Sequence, residues 1–183
     1  AAGTVGQLAG QFAKRAGARV VGSVGSNAKL AYVVERCGFD AAFNYKTEPI
    51  DDALRRLCPW DIDMYFDNVG GPTLEAALRH ANVAARFPVC GMISAYNDVE
   101  DRGVRGLQAL LNKRITMTGS TLRAQTFAQK AVMVKEIMEH IFPHLNSGKI
   151  KPIIDSIYPL AQVEQAHGHM QSGQHMGKII LKT

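Results

Sequence analysis

The regular alternation of predicted helices with short apolar strands is the feature that most constrains the fold of this sequence. Helices of about ten residues between strands form βαβ units, whose right-handed crossovers build a parallel sheet with helices on both faces. The sequence therefore predicts an α/β fold with a doubly wound parallel sheet. Helices are predicted at 5–16, 27–37, 48–57, 72–81 and 103–112, and strands at 19–22, 41–45, 62–67, 85–90 and 115–118.

Beyond residue 120 the pattern changes, and a long amphipathic helix is predicted at 126–145. Its apolar residues recur at helical spacing, so we expect them to face a hydrophobic core. We expect one domain over 1–148 and a separate C-terminal segment over 149–183. The apolar positions are Phe127, Ala131, Val134, Ile137, Met138 and Ile141. The elements predicted in the C-terminal segment are an extended stretch at 149–158, a helix at 160–171 and a strand at 179–181.

A glycine loop, Gly3-Thr4-Val5-Gly6, stands directly at the start of the first predicted helix. Backbone N–H groups and the positive end of the helix dipole can bind a phosphate there, and glycines let the backbone come close to it. Gly10, one turn later, is expected to let the helix pack tightly on the sheet. Ala1 replaces the first glycine of a full GxGxxG, and such glycines often form only a turn. No strand precedes the loop, so we expect the chain to be a fragment that lacks the first strand.

The stretch that follows the strand at 19–22 contains hydroxyl, amide and ammonium groups but no carboxylate. In dinucleotide-binding domains, an acidic residue there binds the ribose hydroxyls of NAD, whereas a 2′-phosphate needs donors and positive charge. The stretch therefore favours NADP over NAD. Alternatively, Ser26 or Asn27 only caps the next helix and Lys29 is a solvated surface residue. The polar side chains are Ser23, Ser26, Asn27 and Lys29.

Composition excludes several other classes of protein. The net charge is +5, but the basic residues are scattered, which argues against nucleic-acid binding. No apolar run approaches the roughly 20 residues that span a bilayer, and no signal peptide is visible. Cys37, Cys58 and Cys90 are far apart and form no CxxC pair. Neither a disulfide framework nor a structural zinc site is therefore expected, and a cytoplasmic location fits best.

Several stretches resemble the zinc-independent reductases of the medium-chain dehydrogenase/reductase superfamily. The loop from Ala1 to Gly6 resembles their AAxGxVG motif, and the ending from Ile157-Tyr158-Pro159-Leu160 to Gly177-Lys178-Ile179-Ile180-Leu181 resembles their quinone oxidoreductases. The resemblance implies a Rossmann-type fold and only the cofactor-binding half, without the amino-terminal GroES-like catalytic domain. The stretches that resemble prostaglandin/2-alkenal reductases are Gly25-Ser26, Lys29, Leu30-Ala31-Tyr32, Gly38-Phe39-Asp40, Phe43-Asn44-Tyr45-Lys46, 65–71 and 89–97.

The resemblance implies that NADP(H) is the cofactor and assigns residues to its parts. The pyrophosphate would be held by Gly3, Thr4, Val5 and Gly6. Lys29 would pair with the 2′-phosphate, near Ser26, with Tyr45 beside it, and Asn68 would bond the cofactor through its amide. The residues implied toward the nicotinamide end are Cys90, Gly91, Ile93, Ser94, Tyr96, Ser120, Thr121 and Leu122.

Two departures and several simpler interpretations accompany these roles. His175 stands where the family usually has Asn before the terminal Gly-Lys, and Ser120 stands where it usually has Phe or Ile. Tyr45 is alternatively an ordinary strand-end residue, and Asn68 alternatively only shapes a turn. Cys90 is expected to be a small buried residue and not a nucleophile. His167 and His169 lie in a predicted helix without metal-ligand partners at matching spacing.

The implied activity is transfer of a hydride from NADPH to an enone, a 2-alkenal or a quinone, without a metal. The substrate is a small molecule, and a homodimer through the strand near 115–119 is expected. The chain alone is expected to bind cofactor weakly and to show no turnover. Two alternatives stay open: a catalytically inactive nucleotide-binding sensor or structural protein, and a zinc-dependent alcohol dehydrogenase whose ligands lie outside this sequence.

Overall fold

A computed structural model describes residues 1–96 and 103–183 of the chain. These residues form two compact units, which we treat one at a time. Unit 1 comprises Ala1–Lys46 and Lys135–Thr183, and unit 2 comprises Thr47–Val134. Asn97, the last residue of the run that resembles 2-alkenal reductases, lies outside the described residues.

Helices and strands alternate as the sequence predicts, and the strand pairs among the described residues are all parallel. The fold is thus of the Rossmann type, and the described strands lie in three separate small sheets. The helices are α1 (Thr4–Arg15), α2 (Asn27–Glu35), α3 (Ile50–Leu57), α4 (Gly71–Arg79), α5 (Gln108–Lys113), α6 (Phe127–Glu136), α7 (Phe142–Asn146) and α8 (Val163–Ser172). The strands are β1 (Val21–Val24), β2 (Ala41–Asn44), β3 (Ile62–Met64), β4 (Ala81–Val89), β5 (Thr116–Gly119), β6 (Ile154–Pro159) and β7 (Lys178–Lys182).

In unit 1, β1 pairs with β2, from Val21 opposite Ala41 to Val24 opposite Asn44. β1 begins two residues later than predicted. The backbone N–H of Val20 donates to the Asp40 carboxylate and therefore does not pair with a neighbouring strand. The predicted tight packing at Gly10 is confirmed, since a Cβ atom there would run into the ring of buried Phe39. The core around this ring consists of Ala2, Val24, Val33, Cys37 and Phe39.

The C-terminal residues of unit 1 contribute a second parallel pair, β6 with β7. Two buried glutamines of α1 bind the segment that leads into β6. Gln7 donates to the carbonyl of Ile153, and Gln11 both donates to and accepts from the backbone of Lys151. Because a buried amide needs partners, these bonds hold the segment against α1. The boundary expected at residue 148 stays a prediction.

Unit 2 contains a three-stranded parallel sheet in the order β3-β4-β5. The strand β4 begins at Ala81, four residues before the predicted start, because Ile62 already pairs with Ala81 across an irregular register. Ala84 has a φ of 63°, which places the irregularity inside the alanine-rich start of the strand. The sheet packs on α4, and the residues buried between them include Leu74, Leu78 and Phe87.

The single helix predicted at 126–145 is wrong in two respects. A π-helical turn at Ile137–Ile141 separates α6 from α7, and Pro143 has no N–H to donate to the carbonyl of Glu139. The expected core face is also wrong: Phe127 is 92% exposed, and Ala131, Val134, Ile137, Met138 and Ile141 are exposed or half-buried. Helical spacing identifies an apolar face, but it does not require that the same chain cover it.

In residues 1–96 and 103–183, no helix combines the length and the apolar character that crossing a membrane would require.

Candidate functional site

The amino-terminal end of α1 in unit 1 is open to an anion. Gly3 precedes the helix with extended backbone, none of the described side chains caps it, and the first turn contains no acidic residue. The first N–H groups of a helix have no intrahelical carbonyl to bind, and the helix dipole is positive at this end. The arrangement therefore has the properties of a phosphate-binding helix start.

The two glycines of this loop differ in whether the surrounding backbone leaves space for a side chain. A Cβ atom on Gly6 would lie 2.8 Å from the carbonyl oxygen of Ala1, so the close approach of the backbone excludes a side chain there. A Cβ atom on Gly3 would meet no described atom within 4 Å. Thr4 donates from Oγ1 to the carbonyl of Gly177 at 3.2 Å, and Val5 is 47% exposed. The fold therefore requires a glycine at position 6, whereas the space beside Gly3 is not filled by the described residues.

Ser26 caps α2, which was the alternative role predicted for this residue. Its Oγ accepts the backbone N–H of Lys29 at 3.3 Å. Asn27 is engaged differently, since its Oδ1 accepts from Nδ2 of Asn44 at 2.9 Å, which ties the turn after β1 to the end of β2. A capping serine keeps its hydroxyl proton, so the predicted contact of Ser26 with cofactor stays a prediction.

Lys29 is not a freely solvated surface lysine. Its Nζ donates to the carbonyl of Gly173, which follows α8, and the side chain is half-buried. Burial lowers the pKa of Lys29, the positive charge of Lys46 lowers it further, and the carboxylate of Asp155 raises it. An anion bound near Lys29 would compensate the first two effects.

The loops after β1 and β2 meet at Gly25. A Cβ atom on this residue would lie 2.9 Å from the hydroxyl of Tyr45 and 3.5 Å from Cε of Lys46. Unit 1 therefore brings Tyr45 and Lys46 to the turn that carries Ser26 and Lys29. No role for Lys46 was predicted from the sequence, although a basic residue two positions after the end of a strand stands where such sheets bind ligands.

In unit 2, Asp67 follows β3 and pairs with Val89 at the end of β4. Its side chain is fully buried. Its Oδ1 accepts the backbone N–H groups of Val69 at 2.8 Å and Gly70 at 2.9 Å. Its backbone carbonyl accepts from Cys90 at 2.7 Å and from Gly91 at 3.1 Å. Sequence reasoning missed this residue, although a carboxylate inside an apolar strand end is a signal for a buried hydrogen-bonded group.

Asp67 also binds the phenol of Tyr65. The Tyr65 hydroxyl donates to Oδ1 at 3.0 Å, and burial together with the negative charge of Asp67 raises the pKa of this phenol. The other carboxylate oxygen, Oδ2, is buried and has no hydrogen-bond partner in the described part of the chain. The carboxylate is thus bonded through one oxygen only, close to the positive end of α4.

The turn after Asp67 organises the loop after β4. The carbonyl of Asn68 accepts from Ile93 at 3.2 Å, and the Ser94 backbone N–H and hydroxyl both donate to the carbonyl of Val69. A Cβ atom on Gly91 would lie 3.0 Å from the Tyr96 hydroxyl and 3.2 Å from the Asn68 carbonyl, so a side chain here would require these groups to move. Unit 2 therefore brings together Asn68, Gly91, Ile93, Ser94 and Tyr96.

The loop after β5 joins the same strand end. Ser120 donates from both its backbone N–H and its hydroxyl to the carbonyl of Val89, each at 3.0 Å. Thr121 and Leu122 are exposed beyond it. The expectation that Cys90 is buried is wrong: it lies one residue past β4, where its backbone bonds Asp67 and its side chain is exposed.

The histidines near the C terminus differ from one another. Nδ1 of His169 lies 3.0 Å from the Tyr158 hydroxyl, whereas His167 is exposed. Burial lowers the pKa of His175, and the positive charge of Lys29 lowers it further. Across 1–96 and 103–183, no three His, Cys, Asp or Glu residues are grouped so that they could hold a metal ion.

Comparisons with known proteins identify relatives along the whole chain. Residues 4–136 match the family described as zinc-binding dehydrogenase. The chain is 40% identical over 182 residues to the 2-alkenal reductase (NADP(+)-dependent) of Nicotiana tabacum, with 99% of this chain and 52% of that protein covered. The chain spans about half the length of the relatives it matches.

Two solved structures share the fold. The structure of CurA from Vibrio vulnificus in complex with NADPH matches with a TM-score of 0.88 at 30% identity, covering 100% of this chain and 54% of that one. The Escherichia coli quinone oxidoreductase complexed with NADPH matches with a TM-score of 0.82 at 26% identity, covering 100% and 55%.

Proposed function

The chain belongs to the zinc-binding dehydrogenase family, and from that premise we propose that the protein containing it reduces a small enone, 2-alkenal or quinone with NADPH. The observation that carries the proposal is Lys29, which is half-buried beyond the end of β1, in a stretch, 22–29, that contains no carboxylate. A 2′-phosphate needs this charge, whereas the ribose of NAD is usually held by an acid. When bound, the dinucleotide would supply the hydride.

Unit 1 fits the phosphate groups of such a cofactor. The uncapped start of α1, from Gly3 through Thr4 and Val5 to Gly6, would hold the pyrophosphate by backbone N–H groups. Lys29 would pair with the 2′-phosphate, with Ser26 and Tyr45 beside it. The closeness of Tyr45 to Gly25 and the half-burial of Lys29 support this role.

Unit 2 fits a role toward the nicotinamide. Its candidate residues all follow the carboxyl ends of parallel strands, where open α/β sheets bind ligands. Gly91 has no side chain that would separate its backbone from a ligand, and Asn68 carries an amide side chain in the turn that follows β3. The residues proposed here are Asn68, Cys90, Gly91, Ile93, Ser94, Tyr96, Ser120, Thr121 and Leu122.

Substrate and assembly are part of the same proposal. The named relatives reduce 2-alkenals or quinones, which supports a small conjugated carbonyl or quinone substrate. β5 is an edge strand of its sheet, with Thr116 and Thr118 exposed, which supports a homodimer through this edge. Light scattering of the purified protein would measure the oligomeric state, and a monomer would contradict the dimer. A cytoplasmic location also stays a proposal.

The activity is tested by mixing NADPH and the purified full-length protein that contains this chain with a 2-alkenal and, separately, with a quinone. We expect loss of NADPH absorbance with at least one of them. Tight NADPH binding without oxidation by either substrate would favour the nucleotide-binding sensor instead.

The cofactor assignment is tested by Lys29→Ala. Hydrogen bonds to a charged group contribute about 1.5–3 kcal/mol, so we expect the Kd for NADPH to rise roughly 10- to 100-fold and the Kd for NADH to stay nearly constant. Lys149→Ala, an exposed lysine of the same unit, is the matched control. Equal losses for both dinucleotides would contradict the phosphate role of Lys29.

A further inference from the structure

The backbone of Lys46 is held by a hydrogen bond, but among the described residues no carboxylate pairs with its ammonium group. Its side chain is exposed just after β2, and it forms no salt bridge within the described ranges 1–96 and 103–183. We propose that Lys46 is a second cationic ligand of the phosphate that distinguishes NADP(H) from NAD(H), and that Asn44 positions it. This inference rests on the proposed function.

Asn44 fixes the backbone that carries Lys46. The side chain of Asn44 is buried at the end of β2, and its Oδ1 accepts the backbone N–H of Lys46 at 3.1 Å. Its Nδ2 donates to Oδ1 of Asn27 at 2.9 Å. One buried amide thus ties the turn after β2 to the turn after β1, so the starting point of the Lys46 side chain is set relative to α2.

The stem of Lys46 lies next to the turn that precedes Lys29. A Cβ atom on Gly25 would be 3.5 Å from Cε of Lys46, and Gly25 stands directly before the capping residue Ser26. The positive charge of Lys46 also lowers the pKa of Lys29, which agrees with two ammonium groups in the same region. The two lysines therefore flank the turn between β1 and α2.

The positive charge near Lys29 is not fully compensated by neighbouring carboxylates, so this region suits an anion with more than one negative charge. One N–H of Lys29 is used by the Gly173 carbonyl, which leaves two for a ligand. Asp155 raises the pKa of Lys29, but its carboxylate already accepts from the backbone of Met176 and faces His169. A phosphate monoester carries about −1.5 to −2 charges at neutral pH, more than one lysine neutralises. A second lysine would complete the neutralisation.

The test compares nucleotides that differ only by the 2′-phosphate: 2′,5′-ADP with 5′-AMP, and NADPH with NADH. We expect Lys46→Gln to weaken binding of the two 2′-phosphorylated ligands about tenfold and to leave the other two nearly unchanged. Lys46→Arg keeps the charge and is expected to restore most of the affinity. Lys149→Gln serves as the matched control for loss of one surface lysine in the same unit.

The double variant K29A/K46Q tests whether both lysines bind the same phosphate. We expect the two losses to be non-additive, because removing either lysine changes the charge that the other one meets. Asn44→Ala is expected to weaken 2′,5′-ADP binding less than K46Q does, with 5′-AMP binding retained as the check on folding.

The outcomes separate this inference from the proposed function. If the unmodified protein binds 2′,5′-ADP no better than 5′-AMP, the NADP(H) assignment itself fails. If the unmodified protein prefers 2′,5′-ADP and K46Q keeps the full preference, only the role of Lys46 fails. Tighter binding of 2′,5′-ADP by K46Q would also contradict it, because Lys46 would then act only by repelling Lys29.

Discussion

The candidate residues of the two units are held in place by different means. In unit 1 the residues proposed for the 2′-phosphate are charged or polar side chains at two neighbouring turns, with Lys29 and Lys46 as the cations. In unit 2 the turn after β3 and the start of the loop after β4 are held by backbone hydrogen bonds to one buried residue, Asp67. The first arrangement is tuned by charge, whereas the second is set by a hydrogen-bond network.

This difference determines how each unit should respond to substitution. Replacing an exposed lysine removes one interaction with a ligand and leaves the fold almost unchanged. Replacing the buried acid leaves two backbone N–H groups and one hydroxyl without an acceptor, so the fold itself is affected. Stability is therefore the sensitive measurement for unit 2, and ligand selectivity is the sensitive measurement for unit 1.

The largest effect on stability is expected from Asp67→Ala in unit 2. The change leaves Val69 N–H, Gly70 N–H and the Tyr65 hydroxyl without their common acceptor, and we expect a loss of about 3–5 kcal/mol in the free energy of unfolding. Tyr65→Phe removes only one of these bonds and should cost about 1 kcal/mol. Urea unfolding measures both. Equal costs for the two variants would show that Asp67 does not organise the strand ends.

A smaller effect is expected from Gly10→Ala in unit 1. The new Cβ atom would meet the ring of Phe39 in the core, and overpacking of this kind costs about 1–3 kcal/mol. Gly168→Ala is the matched control, because this helical glycine of α8 has no described atom within 4 Å of a new Cβ atom. It should gain up to about 1 kcal/mol from helix propensity. A gain at both positions would contradict the close packing of α1 on Phe39.

The smallest effect is expected at an exposed ion pair of unit 2. Hydrogen bonds from Arg79 lower the pKa of Asp51. A carboxyl whose pKa is lowered in the folded state stabilises the fold above its ordinary pKa near 3.9, and this contribution is lost as the pH falls through the lowered value. Because the pair is exposed, Asp51→Asn should cost no more than about 1 kcal/mol at neutral pH.

The measurement for this pair is urea unfolding of the unmodified protein and the Asp51→Asn variant from neutral to strongly acidic pH. We expect the difference between them to disappear at the acidic end. A difference that is independent of pH would mean that Asp51 acts through packing and not through its charge.

The order of helices and strands could be predicted because alternating apolar runs and helical spacing are local properties. Strand ends were less predictable: β1 starts late because the Asp40 side chain takes the N–H of Val20, which depends on a residue twenty positions away. The apolar residues between Phe127 and Ile141 were misplaced because periodicity does not reveal what packs on a face.

Some residues of the candidate site could be predicted from the sequence and others could not. Lys29 was proposed because its side chain has the charge that a phosphate needs, whereas Tyr45 was proposed only from the family resemblance. Asp67 was missed because its role lies in accepting backbone N–H groups, and its one sign in the sequence is a single carboxylate in an apolar strand end. Cys90 was expected to be buried, but its position one residue past β4 exposes it. Chemistry was easier to predict from sequence than exposure was.

The central claim is that unit 1 recognises the 2′-phosphate of NADP(H) through Lys29, which lies in the first turn of α2. A crystal structure of the protein with NADPH bound tests this most directly. We predict that the 2′-phosphate lies against Lys29, with Tyr45 beside it. A bound cofactor whose adenosine lies away from Lys29 and Tyr45 would contradict the account.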